Sequence, residues 1–258
     1  MVSWGKSLRL EVIGVQGIPL IKRGDNIARL LVEALKRMGE NLRDGDVVVV
    51  SQVIVSKAEG RVVKLKDVKP SLRARVMAER LGREAEVVEL ILREAEEVLR
   101  FRDGHLITRT RQGYVCANSA VDLSNVSGGD AASLLPLDPD LSAEKIRKEI
   151  RKLTGRKVAV IISDTFGRPF RLGQVNVALG VSGMEPIHDR RGEKDLYGRK
   201  LQVKEIAVAD ELASAAELVM GEADEGIPIA IIRGYKYKRS RRPGGRRLIR
   251  PGEKDLFL

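Results

Sequence analysis

The stretch SAEKIRKEIRKLTGRKVAVIISD, residues 142–164, decides the fold class of this chain. Its first part, residues 142–153, places apolar residues at helical spacing behind Ser142, a predicted N-cap. Gly155 predicts the end of this helix, and residues 157–162 then have the continuous apolar character of a buried strand. A helix that leads through a glycine turn into an apolar strand is typical of helices packed on a sheet.

The sequence predicts further strands and helices on both sides of this stretch. The β-branched run over residues 47–55 predicts a strand interrupted by Ser51 and Gln52, and residues 229–232 predict another. An alanine-rich pattern over residues 207–220 predicts a helix ended by Gly221. We therefore expect an α+β fold with mixed sheets and flanking helices. With 258 residues, 43% of them apolar, it forms a single domain or two closely packed lobes without a readable boundary.

Composition narrows the class of protein without identifying it. The net charge of +11 favours anionic partners of any kind. The apolar runs are strand-length, and the first ten residues lack a long apolar segment, so we expect a cytoplasmic protein without membrane spans. The one cysteine, Cys116, cannot form an intramolecular disulfide, and we interpret it as a packed strand residue rather than a nucleophile.

Three polar turns, around Asp122, Asp164 and Glu222, interrupt otherwise regular patterns, and each supplies a carboxylate. Carboxylate oxygens favour Mg²⁺ or Mn²⁺, particularly when a phosphate supplies further oxygens. A polar segment over residues 56–60 follows the 47–55 run. Ser51 and Gln52 inside that run are either hydrogen-bonded strand residues or a bulge, or the strand leads into this segment as a polar loop that delivers Lys57 to a site. Residue patterns leave both interpretations open.

Several common catalytic signatures are absent from the sequence. There is no Walker-type phosphate loop, no Gly-x-Gly-x-x-Gly fingerprint, no Gly-x-Ser-x-Gly elbow and no His-Glu-x-x-His helix. Only His105 and His188 are present, so a histidine-centred acid–base mechanism has few candidates.

An ordered series of motifs runs through nearly the whole chain. In sequence order they are Gly17-Ile-Pro-Leu-Ile21, Ser56-Lys-Ala-Glu-Gly60, Val121-Asp-Leu-Ser-Asn125, Ser163-Asp-Thr-Phe-Gly-Arg168, Lys194-Asp-Leu-Tyr-Gly198, Met220-Gly-Glu-Ala-Asp-Glu-Gly226 and Arg250-Pro-Gly-Glu-Lys-Asp-Leu-Phe257. In this order and spacing the series resembles the coenzyme F420-0:γ-glutamyl ligase family.

The resemblance implies a GTP-dependent ligase with a fold peculiar to that family. Such an enzyme activates the lactyl carboxylate of F420-0 as an acyl phosphate, joins it to L-glutamate, and then adds a second, γ-linked glutamate. The resemblance also implies a homodimer, a pair of Mg²⁺ or Mn²⁺ ions, and K⁺ with ligands that it does not assign.

The resemblance also implies roles for individual residues. The metal ligands would be Asp122, Asp164, Thr165 and Glu222. The GTP-binding residues would be Ile18, Pro19, Leu20, Ile21, Gln52, Val53, Lys57, Asn125, Met220, Gly221, Glu222, Ala223, Asp224, Glu225, Gly226 and Ile227. As catalytic residues we predict Lys57, at a phosphate, and Arg168, which can hold an acidic substrate group in a bidentate contact.

Two other functions stay open at this level. The cationic segment 236–247 would suit an RNA-binding module. Aromatic residues make up only 3% of the chain, however, so few side chains are present on which RNA bases could stack. A related amide ligase or nucleotide phosphohydrolase with another acceptor would share the same metal-binding acids.

Overall fold

The structure, a computed structural model, describes residues 9–102, 104–126 and 130–254. It confirms the predicted α+β class. The helices are α1 Ile27–Met38, α2 Gln52–Ala58, α3 Leu72–Leu81, α4 Ala85–Glu94, α5 Pro139–Thr154 and α6 Val208–Met220. The strands are β1 Glu11–Gly14, β2 Val47–Ser51, β3 Val62–Lys64, β4 Ala95–Arg102, β5 His105–Thr110, β6 Val115–Ala117, β7 Ala131–Ser133, β8 Ala159–Gly167, β9 Gln174–Ser182, β10 His188–Asp189, β11 Glu205–Ile206 and β12 Ile229–Arg233.

A five-stranded mixed sheet with the order β1-β12-β2-β8-β9 forms the centre of the molecule. Strands β2 and β8 run parallel, and the other neighbours are antiparallel. Successive valines of β2 face opposite sides of the sheet. Val48 and Val50 pack into a core with α1 and α5, whereas Val47 and Val49 pack into a core with α6. Helices therefore cover both faces of the sheet.

A separate hydrophobic core joins α3 and α4 to smaller sheets. These are the three-stranded sheet β4-β5-β6 and the pair β3-β7. Within this core, Ile91 and Leu106 are fully buried. The number of domains stays a prediction.

Helix α5 confirms the opening prediction except at its start. Asp138, not Ser142, is the N-cap, because its side chain accepts a hydrogen bond from the backbone N–H of Leu141 and Pro139 occupies the first turn. Gly155 ends the helix in the left-handed conformation, as predicted.

The predicted strand over residues 47–55 is wrong beyond Ser51. The chain turns into α2 at Gln52, so Lys57 lies in the last turn of a helix rather than in a polar loop. The helix is favoured because Gln52 and Ser56, four residues apart, share one face. Their side chains bond to each other and to the backbone carbonyl of Leu134. A β-branched run alone does not reveal this contact with a residue about 80 positions away.

Strand β8 extends beyond the predicted residues 157–162. A register shift between Ile162 and Ser163 lets the chain continue its pairing with β9 to Gly167. Asp164 and Thr165 are therefore strand residues rather than turn residues, and they pair with Val177 and Asn176. The helix predicted over residues 207–220 and the strand over residues 229–232 are confirmed to within one residue.

Candidate active site

A cavity of about 200 Å³ opens where the parallel pairing of β2 with β8 ends, at Ser51 and Ser163. Strands β8 and β9 form part of its wall, together with the stretch after β1, the start of α2, the loop at Asp122, and the loop between α6 and β12. Its lining comprises Ile18, Pro19, Leu20, Ile21, Ser51, Gln52, Val53, Ile54, Lys57, Asp122, Ser124, Asn125, Ser163, Asp164, Thr165, Asn176, Met220, Gly221, Glu222, Ala223, Glu225, Gly226, Ile227 and Pro228.

The three predicted metal-binding acids meet in this cavity although they are far apart in sequence. Asp164 lies half-buried on β8, and desolvation raises the pKa of its carboxyl to about 7. The negative charges of Asp122 and Glu222 add to this rise, whereas the backbone N–H of Thr165 opposes it. The protein thus holds a carboxylate in a place where its own charge is disfavoured.

The other two acids are held by their neighbours. Both carboxylate oxygens of Asp122 accept hydrogen bonds from Ser124, one from the backbone N–H at 2.8 Å and one from the hydroxyl at 2.6 Å. The Glu222 carboxylate accepts a hydrogen bond of 2.6 Å from the side-chain amide of Asn176. The same amide donates to the Thr165 hydroxyl at 3.3 Å.

Lys57 links two of the cavity's walls. Its ammonium group donates to the backbone carbonyl of Asn125 at 2.5 Å, and the Asn125 amide donates to the carbonyl of Ala223 at 3.3 Å. Partial burial lowers the pKa of Lys57. These contacts tie α2, the loop at Asp122 and the loop after α6 into one frame.

The loop after α6 requires glycine at its first position. Gly221 has a φ of 68°, and a Cβ there would lie 2.1 Å from the Glu225 carboxyl carbon. Glu225 turns back in this way because its carboxylate accepts a hydrogen bond from the Ala223 N–H at 2.9 Å. The loop is therefore a compact turn that places Glu222 and Glu225 at the cavity.

The charge of the cavity opposes that of the chain. Among the described residues, four carboxylates line it, from Asp122, Asp164, Glu222 and Glu225, against one cation, Lys57. The whole chain carries +11. Carboxylates gathered in this way attract cations to the cavity and disfavour an anion that enters without accompanying positive charge.

Comparison with known proteins gives this geometry a context. Residues 16–234 match the sequence profile of the F420-0:γ-glutamyl ligase family. The chain belongs to this family. It is 53% identical to the coenzyme F420:L-glutamate ligase of Methanothermobacter thermautotrophicus, over 96% of this chain and 98% of that protein. It is 48% identical to the protein of the same name from Methanocaldococcus jannaschii, over 96% of this chain and 97% of that one.

For this member of the γ-glutamyl ligase family, nearly all residues singled out from the sequence line one cavity. Two do not. Asp224 lies outside the lining, and Arg168 stands in the loop after β8, where its guanidinium donates to the carbonyls of Leu172 and Gly173. Their predicted roles stay predictions, as do those of the lining residues. Residues 255–257 of the last motif lie outside the described chain.

Sequence reasoning missed several lining residues of this ligase-family cavity. They are Ser51, Ile54, Ser124, Ser163, Asn176 and Pro228. A signal existed for Asn176, because an amide in the apolar run over residues 174–181 is unusual for a buried strand. The buried hydroxyl of Ser163 has no hydrogen-bond partner within the described residues and marks a polar position that the protein leaves unsatisfied.

Histidine and thiol chemistry find no support in this cavity. Cys116 is a buried β6 residue, as predicted, and its burial raises the pKa of the thiol to about 12. His188 is exposed on β10.

Within residues 9–102, 104–126 and 130–254, no three His, Cys, Asp or Glu side chains are grouped as ligands of one ion. The described helices include none that is long and apolar enough to cross a membrane.

Proposed function

We propose that this chain joins L-glutamate to coenzyme F420-0 through an amide bond, driven by GTP and divalent metal ions. The observation that carries the proposal is the charge of the cavity, four carboxylates against one lysine in a chain of +11. A nucleoside triphosphate would be repelled from such a cavity unless metal ions accompanied it. The relatives' name, coenzyme F420:L-glutamate ligase, supplies the acceptor and the amino acid.

The donor set suits hard divalent cations. Asp122, Asp164, Thr165 and Glu222 would hold a pair of Mg²⁺ or Mn²⁺ ions, with phosphate oxygens completing each coordination sphere. Because the protein ligands would be divided between two ions, three protein carboxylates need not surround either of them. Such ions offset negative charge on phosphate oxygens and on the leaving group. The unsatisfied Ser163 hydroxyl offers a further polar contact to a bound group.

The remaining lining suits a nucleotide. Residues 18–21 and Ile227 would give an apolar wall for a base and ribose, and Gln52, Val53 and Asn125 line the same cavity. Lys57 would reach the β- or γ-phosphate. Its lowered pKa results from desolvation, which also strengthens its attraction to a phosphate.

The proposed chemistry proceeds in two balanced steps. An oxygen of the lactyl carboxylate of F420-0 attacks the γ-phosphorus of GTP, forming an acyl phosphate and releasing GDP. The glutamate amine attacks the acyl carbon and gives up a proton to solvent, the C–N bond forms, and inorganic phosphate leaves with the electrons of the C–O bond. Holding both reactants in one cavity raises their effective concentration. A second, γ-linked glutamate follows by the same steps, with the γ-carboxylate of the first glutamate activated in place of the lactyl carboxylate.

Further features of the proposal concern assembly and location. We place the enzyme in the cytoplasm as a homodimer that also uses K⁺. Support for a dimer comes from large apolar side chains on the loop between β10 and β11. Leu196, Tyr197 and Val203 are each 87% to 100% exposed in the single chain. Exposed apolar residues in such number mark a contact surface.

Phosphate release from GTP tests the proposed coupling. Release should require F420-0, L-glutamate and Mg²⁺ or Mn²⁺ together, and omission of any one should reduce it to background. Phosphate release at the full rate without F420-0 would instead indicate a nucleotide phosphohydrolase or a ligase for another acceptor.

A further inference from the structure

A second cavity, of about 460 Å³, lies away from the candidate active site. It is bounded by α5, by the turn between α5 and β8, and by the loop after β12. Residue 158, which lines it, immediately precedes β8, whereas Asp164 lies five residues beyond Ala159 along that strand. At the rise of a β-strand this corresponds to about 16 Å. The two cavities thus open at opposite ends of the same strand.

Among the residues that the structure describes, six cationic side chains and no carboxylate line this second cavity. They are Arg147, Arg151, Arg156, Lys157, Arg239 and Arg241. None of the six forms an ion pair with an Asp or Glu in the described part of the chain, although α5 carries such pairs elsewhere, at Lys148 and Lys152. Two acids are near the cavity without lining it: Asp44 accepts a hydrogen bond from the backbone N–H of Lys157, and Asp46, whose charge acts on Tyr237, is paired with Arg233.

The cavity is shaped by contacts that hold its walls together. Arg147 is half-buried and donates from Nε to the Ser182 hydroxyl at 2.8 Å. The Ser240 N–H bonds to the Gly183 carbonyl at 3.3 Å, which fixes the loop after β12 against the end of β9. Burial raises the pKa of Tyr237, and the charges of Arg239 and Arg147 oppose this rise, so both guanidinium groups stand near the phenol.

Six cations around one cavity repel one another, and a bound anion that carries several charges would relieve this repulsion. Guanidinium groups bind phosphate through paired hydrogen bonds, and four or more arginines around one space can engage more than one phosphate group at once. The volume lies within the range of small-molecule sites, roughly 300–1,000 Å³. A fully extended nucleic acid would instead need a long open groove with aromatic platforms, and Tyr237 is the one aromatic residue in the lining.

We propose that this basic cavity binds a small anion carrying two or more phosphate groups, at a site separate from the metal-dependent active site. The proposal does not rest on the ligase activity. Binding here needs no divalent metal, because the protein supplies all the positive charge, whereas the carboxylate-lined cavity repels the same anion when metal is absent.

The test is calorimetric titration of the full chain with inorganic tripolyphosphate, in EDTA and about 150 mM salt. The test variant is Arg151→Gln/Arg239→Gln, since neither side chain makes a described hydrogen bond or ion pair whose loss would unfold the protein. The matched control is Arg73→Gln/Arg80→Gln, which removes the same charge from the exposed surface of α3. Sedimentation reports the mass of each variant.

We expect one equivalent of tripolyphosphate bound by the wild type, at least about tenfold weaker binding in the test variant, and unchanged binding in the control. Equal weakening in both variants, or no binding by the wild type, overturns the proposal. So does a lower sedimentation mass of the test variant alone, which would make the cavity a contact between subunits. Binding of single-stranded RNA but not of tripolyphosphate overturns it in favour of nucleic acid.

Discussion

The Asn176 amide donates a hydrogen bond of 2.6 Å to the Glu222 carboxylate and so ties β9 to the loop after α6. Asn176 is 4% exposed, and its amide also faces the Thr165 hydroxyl. It therefore orients two of the four predicted metal ligands without being one of them. Residues that orient metal ligands usually affect metal affinity nearly as strongly as the ligands themselves.

Replacing this amide should weaken metal activation. For Asn176→Leu we expect the Mn²⁺ concentration needed for half-maximal activity to rise about tenfold or more, because Glu222 loses its orienting donor. The measurement is activity against metal concentration. Gln174→Leu is the matched control, as Gln174 lies exposed on the same strand. Equal metal requirements in both variants would show that Asn176 only supports the fold.

Asp164→Asn should separate stability from activity. Its charge lies in a desolvated position facing Asp122 and Glu222, so removing it should raise the free energy of unfolding at pH 8 in EDTA by on the order of 1 kcal/mol. The same change should lower turnover at least about 100-fold. Urea denaturation and steady-state assays measure the two effects.

Asp122→Asn provides the contrast for that experiment. The Asp122 carboxylate is already satisfied by Ser124, so its neutralisation should lower activity without the gain in stability. Unfolding of Asp164→Asn under conditions in which the wild type is folded would show that Asp164 has a structural role instead.

Lys57→Met should weaken nucleotide binding. Loss of the ammonium group at the phosphates is expected to raise the Kd for a non-hydrolysable GTP analogue at least about tenfold in the presence of Mg²⁺. Lys64→Met, at an exposed position of β3, controls for the loss of one charge. If Lys57 serves only to hold Asn125, analogue affinity will stay near the wild-type value while thermal stability falls.

The α3–α4 core should show a defined acid sensitivity. Glu89 accepts hydrogen bonds from the Ser71 backbone N–H and from Arg93, both at 2.9 Å, and these contacts hold the pKa of its carboxyl below the ordinary value of 4.5. A lowered pKa in the folded state stabilises the protein above pH 4.5, and this contribution is lost as the pH falls through the folded-state value.

Glu89→Gln should therefore cost about 1 kcal/mol of folding free energy at pH 7, and the difference from the wild type should shrink below pH 4.5. Denaturant titrations across this pH range measure it. Glu79→Gln, on the exposed face of α3, should show no such dependence. A constant difference at all pH values would assign the loss to packing rather than to charge.

Local patterns were sufficient for much of the fold. The end of helix α5 follows from Gly155, and the buried strands follow from apolar runs. Helix α2 could not be predicted this way, because a carbonyl from Leu134, distant in sequence, completes the bonds of Gln52 and Ser56. Tertiary contacts override strand propensity there.

The sequence likewise predicted only some residues of the candidate site. Its acids stand out because carboxylates interrupt apolar patterns, and the motif series connects them. The role of Asn176 became apparent when the register of β8 and β9 placed it opposite Thr165, and that of Ser163 when its buried hydroxyl was found without a partner among the described residues. Arg168 is the last residue of the motif that contains Asp164, yet its side chain forms hydrogen bonds within its own loop and does not line the cavity.

Mass spectrometry of the reaction product tests the central claim most directly. The chain is incubated with F420-0, L-glutamate, GTP and Mn²⁺ or Mg²⁺, and each component is omitted in turn. We predict one or two glutamyl mass increments on F420-0 that require both GTP and metal. GTP cleavage without any glutamyl product, or a glutamyl product formed without nucleotide, would contradict the proposed ligase.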